Sequence, residues 1–340
     1  MPQPERRVNA ELDRLSTFRL PARAAELVVV DHVDQLPRLS VRQPLLVLGE
    51  GSNTVFLDDW PGTVLVNRLR GVWVERAGSQ ASRVRVAAGE NWHGLVRWCL
   101  DRGLHGIENL ALIPGSAGAA PIQNIGAYGV EIADVLESVT VWDWLNGCMR
   151  EIPAAECGFG YRASRFRDRD QGRFLITAIT LILQHRFVAQ TGYRSLAEEL
   201  ARDGGQRQPG PRQLAAAVMR LRRHRLPDPR RLANAGSFFK NPVVSAGFAA
   251  RLLTDHPALP HWHLPDGQVK LGAGWMIEQR GWKGKGIGDS AVYPRHALVL
   301  INRGGATASQ LKRLIATLSD DVEDAFGVRL APEPILIGRA

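Results

Sequence analysis

The sequence predicts an α+β protein in which a two-lobed unit is followed by a smaller α+β domain. Across residues 17–187, short apolar strand-like runs alternate with helical patterns, and two glycine-rich segments interrupt them. Residues 234–338 form a second mixture of strand and helix patterns, with a helix expected at about residues 309–326, after a polar, proline-containing stretch at 204–213. The chain of 340 residues is also too long for one ordinary hydrophobic core, so it suits two or three domains.

The first glycine-rich segment lies within QPLLVLGEGSNTVFL, residues 43–57. Its apolar stretches predict a strand, a tight turn at residues 49–53 and a second strand. Glycines followed by Ser and Asn supply main-chain N–H groups and short polar side chains, which suit an anion-binding turn. The dinucleotide motif GxGxxG would need a third glycine where Thr54 stands, and it would open a helix, so the pattern argues against a Rossmann unit.

The second segment, residues 104–129, reads LHGIENLALIPGSAGAAPIQNIGAYG. It follows residues 83–99, whose pattern predicts a strand, a glycine turn and an amphipathic helix. Glycines and prolines interrupt the apolar residues of 104–129, so neither a helix nor a strand of normal length is expected. A loop this long and this apolar predicts contact with a bound cofactor, and a buried structural loop is the alternative.

The net charge of +9 and the arginine-rich run Met219–Arg231 raise the question of an anionic partner. This run has helical spacing, and Pro227 and Pro229 end the predicted helix. It is compatible with a solvated helix face, with a phosphate-binding surface, or with a nucleic-acid-binding protein. Of these, the nucleic-acid-binding hypothesis alone does not explain the glycine-rich segments.

Cysteine use and hydropathy narrow the class further. Cys99, Cys148 and Cys157 are widely spaced and form no CxxC pair, so we expect reduced structural thiols and no metal site. The first residues lack the apolar stretch of an export signal, and no apolar run approaches the roughly 18 residues of a membrane span. The sequence therefore predicts a cytoplasmic protein.

Short runs in chain order resemble the UDP-N-acetylenolpyruvoylglucosamine reductase family. They are LGEGSN at 48–53, GENWH at 89–93, NLALIPG at 109–115, PIQNIGAYG at 121–129, FGYR at 159–162, LPDP at 226–229, NAGSFFKNP at 234–242 and PEP at 332–334. The resemblance implies an FAD-binding domain of the vanillyl-alcohol oxidase (PCMH) type at residues 15–187, with its two lobes meeting near residue 70. It further implies a tyrosine loop and linker at 188–213, marked by Tyr193, and a substrate-binding domain at 214–338 whose last strand returns to the active site.

The same resemblance implies an activity, namely the NADPH-dependent, FAD-mediated reduction of UDP-N-acetylenolpyruvoylglucosamine to UDP-N-acetylmuramate in peptidoglycan precursor synthesis. FAD would be bound non-covalently and NADPH would donate the hydride. The expected partner is a small UDP-sugar, with no nucleic acid and no membrane insertion, and the expected state is a monomer.

By resemblance, three residues carry the chemistry. Arg162 of FGYR would face the substrate carboxylate, where negative charge grows as hydride adds to the vinyl carbon. Ser237 would donate a proton to the carbon next to that carboxylate. Glu333, held between Pro332 and Pro334, would stay protonated and hydrogen-bond the developing enolate. The resemblance implies that these groups gather over the flavin.

Ligand contacts are carried over in the same way. The implied FAD contacts are Gly49, Glu50, Gly51, Ser52, Asn53, Pro114, Gly115, Gln123, Asn124, Gly126, Ala127 and Tyr128. The implied contacts to the substrate diphosphate are Tyr193, Arg225, Asn241 and His296, with Arg222 as a further candidate. The chain departs from the family at Arg225, where lysine is familiar, and at His296, where glutamine is familiar, and histidine could make binding pH-sensitive. Ala119 and Ala120 replace serines found in relatives, which puts hydroxyl contacts to FAD in doubt there.

Another FAD-dependent oxidoreductase of the same fold is the alternative interpretation. Such enzymes often tether FAD covalently to a histidine or cysteine, and His93 in GENWH would be the candidate. Denaturing the protein and asking whether the yellow colour stays with the chain distinguishes the two interpretations.

Overall fold

The computed structural model describes residues 3–202, 208–264 and 266–338. The predicted linker therefore lies partly, at residues 203–207, outside the described residues. The α-helices are α1 (Trp92–Asp101), α2 (Arg194–Arg202), α3 (Pro211–Arg225), α4 (Ala246–Asp255), α5 (Ala273–Gln279) and α6 (Ala308–Phe326). The β-strands are β1 (Glu5–Glu11), β2 (Arg23–Val30), β3 (Leu45–Leu48), β4 (Thr54–Phe56), β5 (Trp60–Asn67), β6 (Val72–Ala77), β7 (Ala81–Ala87), β8 (Gly126–Ala127), β9 (Val130–Glu131), β10 (Leu136–Asp143), β11 (Cys148–Pro153), β12 (Phe174–Gln184), β13 (Ala233–Ser237), β14 (Val243–Val244), β15 (His261–His263), β16 (Val269–Leu271), β17 (Gly286–Ile287), β18 (Ser290–Val292), β19 (Val299–Asn302) and β20 (Ile335–Ile337).

The chain forms two compact units. The first comprises residues up to 10, 24–50 and 60–224, and the second comprises residues 11–23, 51–59 and those from 225 onward. Two short segments from the N-terminal part of the chain join the second unit because their apolar side chains, including Phe18, Leu20 and Val55, belong to its core. The bounds of these units differ from the predicted domain ranges. The predicted ranges describe functional domains, and they stay a prediction.

The described part of the first unit contains the short antiparallel pair β8-β9 and two larger sheets. One has the order β1-β2-β5-β3, in which β5 pairs parallel with both β2 and β3. The other is antiparallel, with the order β11-β10-β12-β7-β6. A shared core joins the two sheets, because Val28 and Leu65 of the first sheet pack in one cluster with Trp142 and Leu175 of the second. The predicted two lobes correspond to these sheets.

Helix α1 shows how the local sequence sets the structure of the first unit. Its N-terminus is capped by Asn91, whose side chain accepts a hydrogen bond from the main-chain N–H of Gly94. The buried positions Trp92, Leu95, Val96 and Cys99 follow the spacing of one helix face, as the sequence predicts. That face packs on the antiparallel sheet and on the segment 104–129.

Helices α2 and α3 also belong to the first unit. The apolar face of α3, with Leu214, Ala217 and Val218, is buried in the same core as α1. This differs from the expected substrate domain, which begins at residue 214, and α2 is not predicted by the sequence pattern. The polar composition of α2 explains this, since Leu196 is its fully buried residue.

The second unit contains a sheet of order β13-β19-β18-β17, a sheet of order β14-β16-β15 and the parallel pair β20-β4. Helix α6 covers its core with Leu311, Leu314 and Leu318, close to the predicted range 309–326. Within the described residues, no helix combines the length and apolar character needed to cross a membrane.

Candidate functional site

In the first unit, the two glycine-rich segments contact each other. Gly49 follows β3, and a Cβ atom there would lie 2.4 Å from the Oγ of Ser116, so a side chain would separate the segments. The carboxylate of Glu50 accepts hydrogen bonds from Asn91 Nδ2 at 2.8 Å and from the main-chain N–H of Gly115 at 3.2 Å. Glu50 therefore connects the turn after β3 to the cap of α1 and to the second segment.

Residues 110–115 lie across the start of helix α1. The buried Trp92 donates from Nε1 to the carbonyl of Leu110 at 3.0 Å, and its main-chain N–H donates to the carbonyl of Gly115 at 2.9 Å. One residue thus fixes both ends of this short stretch. The stretch contains Pro114 and Gly115, two of the predicted FAD contacts.

Asn124 organises the next part of the segment. It is 1% exposed and has a left-handed φ of 47°. Its Nδ2 donates to Glu131 Oε2 at 2.5 Å and to the carbonyl of Gly160 at 3.2 Å, and its Oδ1 accepts from the main-chain N–H of Ala133 at 3.2 Å. The amide of Asn124 is therefore engaged within the protein, and its role is to hold three chain segments together.

Arg162 lies in the tight turn that Asn124 holds. Gly160 and Ala163 exchange main-chain hydrogen bonds of 3.2 Å, and Arg162 between them has a φ of 54°. Its Nη2 donates to the carbonyl of Gly126 at 3.3 Å. The structure thus brings the predicted catalytic arginine to the predicted FAD-binding segment.

Tyr128 and Tyr193 are neighbours in the first unit. Their ring centroids lie 5.4 Å apart in an edge-to-face arrangement. Asn109, 2% exposed, donates from Nδ2 to the carbonyl of Tyr128 and to that of Gln190, both at 2.9 Å. The predicted tyrosine loop is therefore connected to the predicted FAD-binding segment through a buried amide.

Arg222 of α3 is close enough to Tyr128 and Arg162 for charge effects. Burial lowers the pKa of the Arg222 guanidinium, Tyr128 opposes this shift, and Arg162 adds to it. A desolvated guanidinium beside a second one forms a local positive field, which favours an anionic ligand. The side chain of Gln123, by contrast, accepts from Arg167 Nη1 at 2.7 Å.

These features of the first unit fit FAD. Small residues allow close approach of the main chain, the guanidinium groups favour phosphate, and the carboxylate of Glu50 is hydrogen-bonded to Asn91 and Gly115. Among the predicted contacts, Gly49, Gly115 and Gly126 carry no side chain, which would allow a cofactor to approach their main chain closely. Ala119 lies beside Gly49, with its Cβ 3.7 Å from the Cβ that a residue at 49 would carry, and it offers no hydroxyl.

In the second unit, Ser237 and Glu333 lie on neighbouring extended segments. The main-chain N–H of Glu333 donates to the carbonyl of Phe238 at 2.8 Å, and Phe239 forms a β-bridge with Pro332. Ser237 ends β13 after an irregularity in which Gly236 has a φ of 72°. The predicted proton donor and the predicted acid therefore lie on adjacent, directly paired segments.

Asn53 secures the same region of the second unit. Its carbonyl accepts from the main-chain N–H of Ile335 at 2.9 Å, and its Nδ2 donates to the carbonyl of Glu333 at 3.4 Å. Gly51 and Ser52 are held to Thr17, which donates its N–H to the Gly51 carbonyl at 3.1 Å and its Oγ1 to the Ser52 carbonyl at 3.4 Å. The polar part of the turn thus supports the strand that carries Glu333.

His296 lies beside this strand pair. Its Nδ1 accepts from the main-chain N–H of Leu298 at 3.3 Å, and the carbonyl of Leu298 accepts from the N–H of Phe238 at 2.6 Å. Burial lowers the pKa of His296 to about 4, and the nearby Arg225 adds to this shift. His296 is therefore neutral near pH 7, with Arg225 as the charged group beside it.

Asn241 is engaged with helix α5. Its Oδ1 accepts from the main-chain N–H of Ala273, the first residue of that helix, at 3.1 Å. This bond orients the amide, so the Nδ2 group is the part of the side chain that suits a ligand oxygen.

Asn91, His93, Asn109 and Ser116 are residues of the first unit whose roles were not predicted. The side chains of Asn91, His93 and Asn109 hydrogen-bond main-chain groups in a glycine-rich region, and the buried Ser116 packs beside Gly49. A polar residue next to an apolar run was the only sequence signal for them. Among the described residues, no cluster of three or more His, Cys, Asp or Glu side chains could hold a metal ion.

The family model for the C-terminal domain of UDP-N-acetylenolpyruvoylglucosamine reductase matches residues 228–337, and a model described as FAD binding domain matches residues 30–152. Proteins named UDP-N-acetylenolpyruvoylglucosamine reductase are similar over nearly the whole chain. The protein from Azoarcus sp. (strain BH72) is 46% identical over 97% of each chain, and that from Bordetella pertussis is 46% identical over 96% of this chain and 94% of its own.

The chain is also similar to solved structures. The crystal structure of UDP-N-acetylenolpyruvylglucosamine reductase from Thermus caldophilus aligns with a TM-score of 0.68 and 26% identity, over 99% of both chains. A solvent-stable cholesterol oxidase shares the fold, with a TM-score of 0.50 and 11% identity over 97% of this chain and 87% of its own. The predicted fold class is confirmed: an FAD-binding domain of the vanillyl-alcohol oxidase type followed by a smaller α+β domain.

Proposed function

Because this chain belongs to the UDP-N-acetylenolpyruvoylglucosamine reductase family, we propose that it uses NADPH and bound FAD to reduce UDP-N-acetylenolpyruvoylglucosamine to UDP-N-acetylmuramate in peptidoglycan precursor synthesis. One observation carries this proposal within the structure. The strand segment after Ser237 pairs with the segment of Glu333, with 2.8 Å between Glu333 N and the Phe238 oxygen. A hydroxyl and a carboxyl so held suit a reaction that ends with proton transfer.

The first unit would hold the cofactor. We propose that main-chain groups of Gly49, Gly115 and residues 126–128 contact FAD, with Arg222 as a source of positive charge. When bound, FAD supplies the hydride that reaches the vinyl carbon of the substrate. His93 Nδ1 accepts from the N–H of Leu112 at 3.0 Å, so this nitrogen is occupied, which supports a non-covalent cofactor.

Arg162 would stabilise the charge that develops on the substrate. Hydride addition pushes electrons toward the substrate carboxylate, and a planar guanidinium can pair with both of its oxygens. The left-handed backbone of Arg162 is held by the turn at Gly160–Ala163, so its position is fixed before substrate binds. This preorganisation is what electrostatic catalysis requires.

Ser237 and Glu333 would complete the reaction. The Ser237 hydroxyl would transfer its proton to the carbon next to the carboxylate, because an enolate carbon is a base strong enough to take a proton from a weakly acidic hydroxyl. Glu333 would act in its protonated form and donate a hydrogen bond to the enolate oxygen, since an ionised carboxylate would repel it. Pro332 and Pro334 restrict the backbone on either side of Glu333, which limits where its carboxyl can point.

The substrate diphosphate would be bound by Tyr193, Arg225, Asn241 and His296. We propose that Arg225 provides the charge, while neutral His296 donates from Nε2, because its Nδ1 accepts from Leu298. In functional terms we propose an FAD-binding domain at 15–187, a tyrosine loop and linker at 188–213 and a substrate-binding domain at 214–338. We also propose a monomeric, cytoplasmic enzyme that binds no nucleic acid.

Separating the two half-reactions of Ser237→Ala tests the proposal. Anaerobic stopped-flow absorbance would follow flavin reduction by NADPH and then reoxidation by the enolpyruvyl UDP-sugar. We expect reduction within about twofold of the parent protein and reoxidation slower by at least about a thousandfold, because only the second step needs the proton. Ser245→Ala, which removes the cap of α4, is the matched serine control and should leave both rates unchanged. Equal losses in both half-reactions would contradict the assignment.

A further inference from the structure

Leu112 has an unusual main-chain conformation in the first unit. Its φ is 60°, in the left-handed region that branched side chains rarely occupy. It lies two residues before Pro114, within the stretch 110–115 that crosses the start of α1. A conformation of this kind persists only where the surrounding structure holds it.

Two side chains hold the peptide groups of Leu112 from opposite sides. His93 Nδ1 accepts its main-chain N–H at 3.0 Å, and Arg222 Nε donates to its carbonyl at 3.2 Å. His93 follows Trp92, which fixes Leu110 and Gly115 at the two ends of the stretch. Consecutive residues of α1 therefore hold the middle and both ends of residues 110–115.

The geometry also defines the state of His93. A main-chain N–H can only donate, so Nδ1 must be without a proton, Nε2 must carry the proton and the ring must be neutral. Burial lowers the pKa of His93, and the charges of Arg97 on its own helix and of Arg223 and Arg222 on α3 add to this shift. Within the part of the chain that the structure describes, no carboxylate is among the groups that shift this pKa, so the surroundings oppose protonation.

We propose that His93, as the neutral Nε2–H tautomer, is a positioning residue that keeps Leu112 left-handed and so sets the place of Pro114 and Gly115 for the cofactor. This inference rests on the proposed function, because it takes these two residues as part of the FAD site. A protonated His93 cannot accept from Leu112. FAD affinity is therefore present above the His93 pKa and falls as the pH falls through it.

Four variants test the inference. FAD binding to the FAD-depleted protein is measured by flavin fluorescence at pH 8. His93→Phe removes the acceptor and should raise the FAD dissociation constant by about tenfold. His93→Asn places an oxygen near the Nδ1 position and should stay within about threefold of the parent. Leu112→Gly needs no support for a positive φ, so His93→Phe in that background should cost less than about threefold.

The pH dependence provides the second measurement. As the pH is lowered, the loss of FAD affinity in the parent protein should begin below the ordinary histidine pKa, because burial and the nearby arginines lower the pKa of His93, whereas His93→Asn should show a flatter profile because its amide does not titrate. His32→Asn, an exposed histidine substitution in the same unit, should keep the profile of the parent. Parallel profiles for the parent and His93→Asn would overturn the inference, as would an equal loss from His93→Phe in the parent and in the Leu112→Gly background.

Amide hydrogen exchange separates this inference from the proposed function. In FAD-depleted protein, the peptide covering residues 110–115 should exchange faster in His93→Phe than in the parent, with unchanged exchange in the sheet strands as evidence of folding. If the parent protein binds no FAD, the proposed function fails. If exchange at 110–115 is the same in both proteins, the positioning role of His93 fails whatever the cofactor result.

Discussion

The two units build their candidate sites in opposite ways. In the first unit, polar side chains such as the exposed Glu50 and the buried Asn109 and Asn124 hold irregular main chain in place. In the second unit, main-chain hydrogen bonds between extended segments position Ser237 and Glu333. The first arrangement depends on a few side chains, whereas the second depends on main-chain hydrogen bonds that substitutions leave intact.

This difference predicts that substitutions will affect the two units differently. Substituting a polar residue of the first unit should change stability, because it leaves buried main-chain groups without partners. Substituting Ser237 in the second unit should change the reaction and leave stability nearly unaltered.

Asn124→Ala should have the largest effect on stability. It removes the hydrogen bonds that Asn124 makes with Glu131, the Gly160 carbonyl and the Ala133 N–H and places alanine in a left-handed conformation, so we expect a loss of about 2–4 kcal/mol. Thermal or urea unfolding measures it. Asn9→Ala is the matched control, because Asn9 has a φ of 52° but is exposed, and alanine there should cost only about 1 kcal/mol. Equal losses at the two positions would mean that the hydrogen bonds of Asn124 contribute little.

Asn109→Leu should have the next largest effect. Leucine keeps the approximate size but donates to neither Tyr128 nor Gln190, so we expect a loss of about 1–3 kcal/mol. Amide exchange in residues 188–193 should rise more than exchange in the sheets. Asn109→Asp preserves the shape but replaces the donor by an acceptor, so it should be at least as harmful as leucine. A harmless Asn109→Asp would show that the donated hydrogen bonds are not what matters.

The sequence predicted those elements of the fold that local apolar patterns encode. Helices α1 and α6 repeat apolar residues at the helical period, and the strands within residues 43–57 are continuous apolar runs separated by a polar turn. Helix α2 was missed because it is mostly polar. The membership of residues 11–23 and 51–59 in the second unit could not be predicted, since it depends on packing between segments far apart in sequence.

The candidate site also contains residues that short sequence runs reveal and residues whose roles depend on the fold. Resemblance supplied Arg162, Ser237 and Glu333, because reacting groups lie in recognisable short runs. It did not supply the roles of His93 and Asn109, which depend on the main-chain groups that the fold brings to them. A residue whose partner is a peptide group leaves no pattern in its own sequence neighbourhood.

His296→Gln should have the smallest effect and only in acid. The native pKa of His296 is about 4, below the value of about 6.5 for an exposed histidine. The unfolded chain therefore binds a proton at a higher pH than the native protein, so the stability that neutral His296 contributes is present above about pH 6.5 and is lost as the pH falls toward 4. Glutamine does not titrate. Between pH 7 and pH 4.5, the parent should lose about 1–3 kcal/mol more stability than His296→Gln, whereas at pH 7 the two should bind the substrate similarly. Unfolding curves at both pH values measure the difference, and equal acid losses would show that His296 is not held neutral by its buried position beside Arg225.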